Sequence, residues 1–332
     1  MPSTAVITGA SGLLGANLAI ALLGRGHRVR ATRRGRSRVA HLEAFPIEWV
    51  SADLSDRTAL ASAFAGADVV FHCAAQVSIV RRVTPALRAA NIDGTANVLE
   101  AVRRAGAGRL VHCSTVTAVG LSEDGRPCDE TARWNFDRHG MADGYGTTKH
   151  LSEELVHAAA ADGLDTVIVN PTYMFGPYDT RPSSGRMIVD VVRGRVPGWT
   201  LGLNNFVDVR DVARGMIAAW EKGARGERYI LGGENLTYKD IFERIARVAG
   251  TAPPRRAVPR WMAKLIGWAG DAVERVRDAE PFLNSVAVDY GYLTSFQFTS
   301  EKAKRVLGYE TGPIETAIRD ALAWFRAHGM LP

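Results

Sequence analysis

Residues 6–23 read VITGASGLLGANLAIALL: a short apolar run, a turn with three glycines, then a helical pattern. Gly9, Gly12 and Gly15 stand between the run and the helix. Glycine permits a tight turn and lets backbone N–H groups approach a pyrophosphate, whose charge is favoured at a helix N-terminus. A glycine triplet alone is weak evidence of such a site. Here a strand precedes it, a helix follows it and the alternation continues along the chain, which together indicate a dinucleotide-binding turn.

The strand-like runs are TAVITG, HRVRATR, IEWVSADL, DVVFHCAA, RLVHCSTV and DTVIVNPT. Between them, GLLGANLAIALLGRG, RTALASAFAG, TPALRAANIDGTANVLEAVRRAG and YGTTKHLSEELVHAAAADG carry helical patterns. This alternation predicts an α/β fold: a Rossmann-type doubly wound parallel sheet, covered on both faces, whose ligands bind beyond the carboxyl ends of the strands. After Asn170 the rhythm breaks. Proline and glycine crowd NPTYMFGPYDTRPSSGR and GTAPPRRAVPRW, which suits a smaller C-terminal substrate-binding lobe over the mouth of the sheet. The expected division gives residues 1–170 and about 204–223 to the dinucleotide-binding domain. Residues of about 171–203 and 224–332 form the lobe and closing helices.

The 332 residues, 46% apolar and 23% charged, fit an ordinary globular protein with one large domain and an appended lobe. No apolar run reaches the roughly 18–20 residues that cross a bilayer. The opening MPSTAVITGA lacks the basic region and apolar core of a secretory signal, so a cytoplasmic location is expected. Cys73, Cys113 and Cys128 show neither metal-ligand nor redox spacing; reduced thiols and no metal are expected. The net charge is +6, but the basic residues are dispersed apart from RRGRSR at 33–38. No aromatic stacking platform accompanies them, so nucleic acid is not an expected partner.

The end of the second strand selects the cofactor. An acid there would hold a ribose 2′-OH, but the residues are Arg33 and Arg34, and guanidinium suits a 2′-phosphate. NADP(H) is expected in preference to NAD(H). Asp53, after the third strand, is placed to meet the adenine edge. In DGYGTTKH (143–150), Tyr145 and Lys149 are one helical turn apart and share a face. A cation beside a phenol favours the phenolate, which otherwise forms near pH ~10.

Jointly, TGASGLLG (8–15), ADL (52–54), FHCAA (71–75), NIDGTANVLEA (91–101), CSTVTAVG (113–120), YGTTK (145–149), NPTYMFGP (170–177) and FVDVRDVA (206–213) resemble the extended short-chain dehydrogenases/reductases over essentially the whole chain. The resemblance implies that Tyr145 is the catalytic tyrosine. Lys149 would lower its pKa and hold the nicotinamide ribose, and Thr115 would hydrogen-bond the substrate oxygen, with Ser114 the neighbouring alternative. It also implies cofactor contacts at Gly9, Ser11, Gly12, Leu13, Leu14 and Gly15, at Asp53 and Leu54, at Cys73, Ala74 and Ala75, and at Pro171 and Thr172. Arg33, Arg34, Tyr145 and Lys149 complete that set. A homodimer through helices near 86–104 and 145–161 is a further implication.

Family members acting on nucleotide-sugars typically show Arg-Pro-x-Asn before Tyr-Gly-Pro and an arginine before FVDV. Here Tyr173 stands in place of that asparagine, and Asn204 and Asn205 occupy the arginine's stretch. The chain is more similar to the dihydroflavonol-reductase and 3β-hydroxysteroid-dehydrogenase-like group, and also to hopanoid-associated sugar epimerases. The expected activity is NADPH-dependent reduction of a ketone or aldehyde on an apolar small molecule. A sugar epimerase or dehydratase, or a non-catalytic NADP sensor, are the alternatives. Expected substrate contacts are Gln76, Ser78, Ser114, Met141, Tyr173 and Arg186, while His139 reads as a loop histidine. RWMAKLIGWAGDAVERV (260–276) aligns Trp261, Leu265, Trp268 and Ala272 on one stripe. That stripe is expected to form a lid over an apolar pocket, with peripheral membrane contact as its other use.

Overall fold

A computed structural model describes residues 2–35, 37–277 and 284–332, with 274–277 described by backbone alone. β1 (Thr4–Thr8) leads through the glycine turn into α1 (Leu13–Gly24), followed by β2 (Arg28–Arg33), β3 (Ile47–Ser51), α2 (Arg57–Phe64) and β4 (Val69–His72). A continuous helical passage comprises α3 (Pro85–Leu87), a π-helical turn (Arg88–Asp93) and α4 (Gly94–Ala105). Next come β5 (Arg109–Cys113), α5 (Gly144–Ala161), β6 (Thr166–Pro171), β7 (Tyr173–Phe175), α6 (Arg186–Val192), β8 (Leu203–Asp208) and α7 (Val209–Lys222). β9 (Arg228–Leu231) and β10 (Glu234–Thr237) precede α8 (Tyr238–Ala249), α9 (Arg260–Arg277), α10 (Ser285–Gly291), α11 (Glu301–Leu307) and α12 (Ile314–Ala327).

Seven strands form one parallel sheet in the order β3-β2-β1-β4-β5-β6-β9. All six strand-like runs and all four helical runs of the first half take their expected forms. β9 is an addition: RYIL is only four residues long, too short for periodicity to mark it. The strand order reverses between β1 and β4, which opens a crevice at the carboxyl ends there.

The sheet is covered on both faces, and β1 shows what that demands. Ala5 and Ile7 pack against Leu18, Met216 and Ile217 of α1 and α7, whereas Val6 packs with Leu60, Val98 and Val156 of α2, α4 and α5. Successive strand residues face opposite ways, so every position of TAVIT is buried. Burying one such side chain contributes about 1.5–3 kcal/mol.

A smaller sheet runs β10-β8-β7, with β8 parallel to β7 and antiparallel to β10. Phe175 and Phe206 pack there with Ile245, Ile318 and Phe325 from α8 and α12. Residues 203–208 thus pair in the small sheet, and 228–231 join the large one. α8 starts in a capping box in which Thr237 and Asp240 satisfy each other's backbone N–H, and Gly250 in the left-handed region ends it.

Two buried histidines stand side by side near the carboxyl edge. His72 and His112 are register partners with ring centroids 5.3 Å apart. His72 Nδ1 is 2.7 Å from Thr8 Oγ1, and Nε2 is 3.2 Å from Thr95 Oγ1. Burial first, then the Lys149 charge, lowers the His72 pKa from 6.5 to about 3; His112 is lowered by the same causes. Between these values the unfolded chain binds protons that the folded chain does not, so stability falls as pH drops from 6.5 toward 3. Each such histidine should contribute a slope of about 1.4 kcal/mol per pH unit. Unfolding free energies measured from pH 7 to pH 5 should therefore decline, and His72→Gln should make the decline shallower. An equal slope in the variant would refute this account.

Candidate active site

The glycine turn at the end of β1 separates two requirements. Gly9 has φ +78°, and a Cβ there would lie 2.6 Å from Ala74 N. A Cβ on Gly15 would fall 2.3 Å from Gly9 O. Packing alone therefore demands glycine at both positions. At Gly12, φ is −89° and a Cβ would meet only Gly9 O, at 3.5 Å. The fold tolerates a side chain there; a ligand close to the backbone would not. Gly12 caps α1 without any side-chain hydrogen bond, and the first turn holds no acid. The orphan N–H groups and positive helix end fit a pyrophosphate. Ser11 is half-buried beside them, and Leu13 and Leu14 turn their side chains into the core.

Arg33 and Arg34 are exposed at the end of β2, and no ion pair among the described residues engages either. Arg30, by contrast, is bound to Glu48 at 2.9 Å. Arg36 of the same cluster lies outside the described residues. The exposed Asp53 carboxylate accepts from Ser55 N at 2.9 Å and Ser55 Oγ at 2.7 Å. These bonds lower its pKa, helped by the nearby Arg34 charge. Leu54 packs under Gly94, where a Cβ would come within 3.0 Å of its Cδ1. Two free guanidiniums beside a glycine turn fit an additional phosphate.

At the ends of β4 and β5, Cys73 N donates to Thr8 O at 3.1 Å and Ala74 N to Thr8 Oγ1 at 3.3 Å. The neighbouring Cys73 and Cys113 thiols act on each other, raising the pKa of the first and lowering that of the second, while Cys113 Sγ donates to Ser114 O at 3.7 Å. Ala75 is exposed beyond them. At the end of β6, Pro171 is buried, and the buried Thr172 hydroxyl has no hydrogen-bond partner among the described residues.

α5 begins at Asp143, whose Oδ1 accepts from Gly146 N at 2.9 Å while Oδ2 accepts from Tyr290 OH at 2.6 Å. Tyr145 is half-buried in its first turn, and Lys149 is 2% exposed one turn on. The Thr115 hydroxyl stands near the Tyr145 phenol and accepts from Thr117 N at 3.4 Å. Lys149 Nζ donates to Cys113 O at 2.8 Å and lies 3.5 Å from His112 Nε2. Burial lowers the Lys149 pKa, partly offset by Cys113 and Glu153. Burial, then the Cys113 thiol, pushes the Tyr145 phenol up, and the nearby Thr115 hydroxyl works the other way. Lys149, expected to lower this phenol, is not among the groups that shift it; its ammonium donates to the Cys113 carbonyl.

Behind Thr115 lies a buried polar network. Asn170 Nδ2 donates to Thr115 O at 3.0 Å and to Glu153 Oε2 at 2.8 Å; Arg228 reaches Glu153 Oε1 at 3.1 Å. Ser114, 4% exposed, buries its hydroxyl near Glu153 without a hydrogen-bond partner among the described residues. Strand alternation separates the two neighbouring hydroxyls.

The other expected substrate contacts are scattered. Gln76 is exposed at the crevice, and Ser78 is buried beside it. Met141 packs in a cluster with Phe136 and Phe296. The Tyr173 ring lies 5.4 Å from Phe206 and 5.6 Å from Phe175. Arg186 Nε meets Asp190 at 3.3 Å, and His139 sits in an exposed loop 3.5 Å from Glu123. Asn205 is spent internally: its Oδ1 accepts from Gly233 N at 2.7 Å and its Nδ2 donates to Asn235 at 2.9 Å. Among the described residues no cluster of His, Cys, Asp or Glu could hold a metal, and no helix is long and apolar enough to cross a membrane.

Asn91 went unassigned by the sequence reading. Only 1% exposed in the π-helical turn, it accepts from Gln76 N at 2.8 Å and donates to Gln76 O and Thr148 Oγ1 at 2.9 and 3.0 Å. It thereby ties the end of β4 to α5. Its trace is a polar residue on the buried stripe Asn91, Thr95, Val98, Val102.

Residues 5–232 match the model of the NAD dependent epimerase/dehydratase family. "Sterol demethylase protein B" of Methylococcus capsulatus is 37% identical over 331 residues, covering 99% of this chain and 100% of that one. "Putative dihydroflavonol 4-reductase" of Synechocystis sp. is 35% identical, covering 97% and 94%. The crystal structure of gox2253 superposes with a TM-score of 0.85 at 34% identity over 99% of this chain and 100% of that one. The chain therefore belongs to the NAD dependent epimerase/dehydratase family of extended short-chain dehydrogenases/reductases, and is an NAD(P)-dependent enzyme.

Proposed function

We propose that the protein is an NADPH-dependent reductase of a ketone or aldehyde on an apolar skeleton. The observation that carries this reading is the gathering of the Thr115 hydroxyl and the Tyr145 phenol beside buried Lys149, at the carboxyl edge of the sheet. Bound NADPH would supply the hydride for the carbonyl carbon. Tyr145, its phenol held protonated by burial, would give its proton to the carbonyl oxygen. Thr115 would orient that oxygen, with its backbone fixed from behind by Asn170. Lys149 would supply positive charge beside the phenolate left by the transfer and hold the nicotinamide ribose.

Preference for the 2′-phosphate rests on Arg33 and Arg34. The apolar substrate is supported by the internal commitment of Asn205, whose amide is spent on Gly233 and Asn235. The named relatives, one for a sterol and one for a dihydroflavonol, agree with it. The second reading, an epimerase or dehydratase that retains its cofactor, is favoured by the family model's description; protein purified with tightly bound NAD would support it.

Titration should show NADPH bound at least ~10-fold tighter than NADH, with the preference lost in Arg33→Asp/Arg34→Ala. Equal affinities in the unaltered protein would remove the basis for NADP. Gly12→Ala should keep its melting temperature but bind NADPH at least ~10-fold more weakly, whereas Gly15→Ala should be destabilised by about 1–3 kcal/mol. A Gly12→Ala protein with full affinity would sink the proposed pyrophosphate cradle. With an accepted carbonyl substrate, Tyr145→Phe should lower kcat roughly 10²–10⁴-fold. Failure to consume NADPH with any of a broad panel of ketones and aldehydes would count against the reductase.

A further inference from the structure

The stripe expected to form a lid faces outward instead. On α9, Ala263 is 4% exposed, and a Cβ on Gly267 would lie 3.1 Å from Ser285 Cα, so the small residues face α10. Trp261, Leu265 and Trp268 are 66%, 54% and 59% exposed, and Met262, Ile266 and Val273 share the outer side. Between residues 261 and 273 the only charged side chains are Lys264 and Asp271. Both sit toward the packed side, where Asp271 accepts from Ser285 N at 3.0 Å. A helix that buries its small residues and shows solvent an uninterrupted apolar arc leaves a patch that water alone does not suit.

The charge leading into this face, over residues 250–270, is one-sided. Residues 250–270 contain Arg255, Arg256, Arg260 and Lys264 and no carboxylate. The three arginines are exposed, with Arg260 lying 5.8 Å from the centre of the Tyr292 ring. The loop over 77–83 adds exposed Val77 and Ile79, at 62% and 51%, and the basic pair Arg81 and Arg82. Loop and helix are fastened to the same turn of α10. Asn284 Nδ2 donates to Ile79 O, and Arg81 reaches Asp289 at 2.7 Å and Ser285 Oγ at 3.4 Å.

We propose that the outer face of α9 with the 77–83 loop docks onto a bilayer surface that contains anionic lipid. The apolar arc and its tryptophans enter the headgroup boundary, and the flanking arginines meet lipid phosphates. A twofold contact between copies would set each cationic rim against itself, with no acid from 250–270 to answer it. Next to the face, α10 is bonded through Tyr290 to Asp143, two residues before Tyr145. A bilayer-borne apolar substrate would thus be delivered beside the site. That use rests on the proposed reductase reading; the docking itself does not, and it is tested without turnover.

The full-length protein is sedimented with vesicles of phosphatidylcholine alone, or mixed with phosphatidylglycerol, at low and high salt. The unaltered protein should bind the mixed vesicles at least ~10-fold better, and high salt should weaken that binding. Trp261→Ser/Trp268→Ser should reduce binding at least ~10-fold, and Arg255→Ser/Arg256→Ser should abolish the preference for anionic lipid. Far-UV circular dichroism checks folding of both; should the tryptophan variant unfold, the arginine variant carries the test. The proposal is overturned if the unaltered protein stays in solution with both vesicle types or if both folded variants bind like it. A lower oligomer mass for the tryptophan variant in sedimentation equilibrium would overturn it too, by assigning the face to a second copy.

Discussion

A parallel strand packed on both faces has no interior position where a polar side chain can find water, so its chemistry is confined to its carboxyl end. The central strands obey this constraint. β1 ends in Thr8, β4 in His72 followed by Cys73, β5 in Cys113 followed by Ser114 and Thr115, and β6 in Asn170 and Pro171. Each of these polar groups emerges at the edge where the strand order reverses. The crevice collects hydroxyls, thiols and imidazoles because the sheet beneath cannot hold them elsewhere.

That crowding sets the electrostatics. Lys149 is the charge around which its neighbours adjust: it lowers His72 and His112 beyond the effect of burial and helps lower the Cys113 thiol. The neutral histidines fill space and accept hydrogen bonds without adding charge to a buried region. The cost of burying the ammonium is offset by the Cys113 carbonyl and by Glu153 one turn further along α5. Glu153 in turn faces Arg228 on β9, so a strand that periodicity could not mark helps to hold the site's polar network.

The sheet, the glycine turn and the Tyr145–Lys149 pair were legible because each depends on local spacing. Other features depend on phase. Ser114 and Thr115 are chemically alike, and only the strand's alternation sends one toward Glu153 and the other toward Tyr145. Asn91 faces inward at a π-helical turn, a local change of helical period that periodic patterns average away. The stripe of α9 was readable as a stripe, but its outward orientation follows from Gly267 packing on Ser285 and from the burial of Ala263. Small residues can be the buried side of a helix, and an apolar pattern alone does not reveal that inversion.

Asp143 divides its two oxygens between different tasks. Oδ1 caps the helix that carries Tyr145, while Oδ2 receives the Tyr290 phenol from α10. Withdrawal of α10 would break the second bond and leave the first in place. The carboxylate is therefore a one-sided joint: the cap on the first turn of α5 does not depend on its bond to the outer helices. Asp143 is thus held in position for the Tyr290 phenol by its bond to Gly146, so that second bond requires little further ordering of the carboxylate.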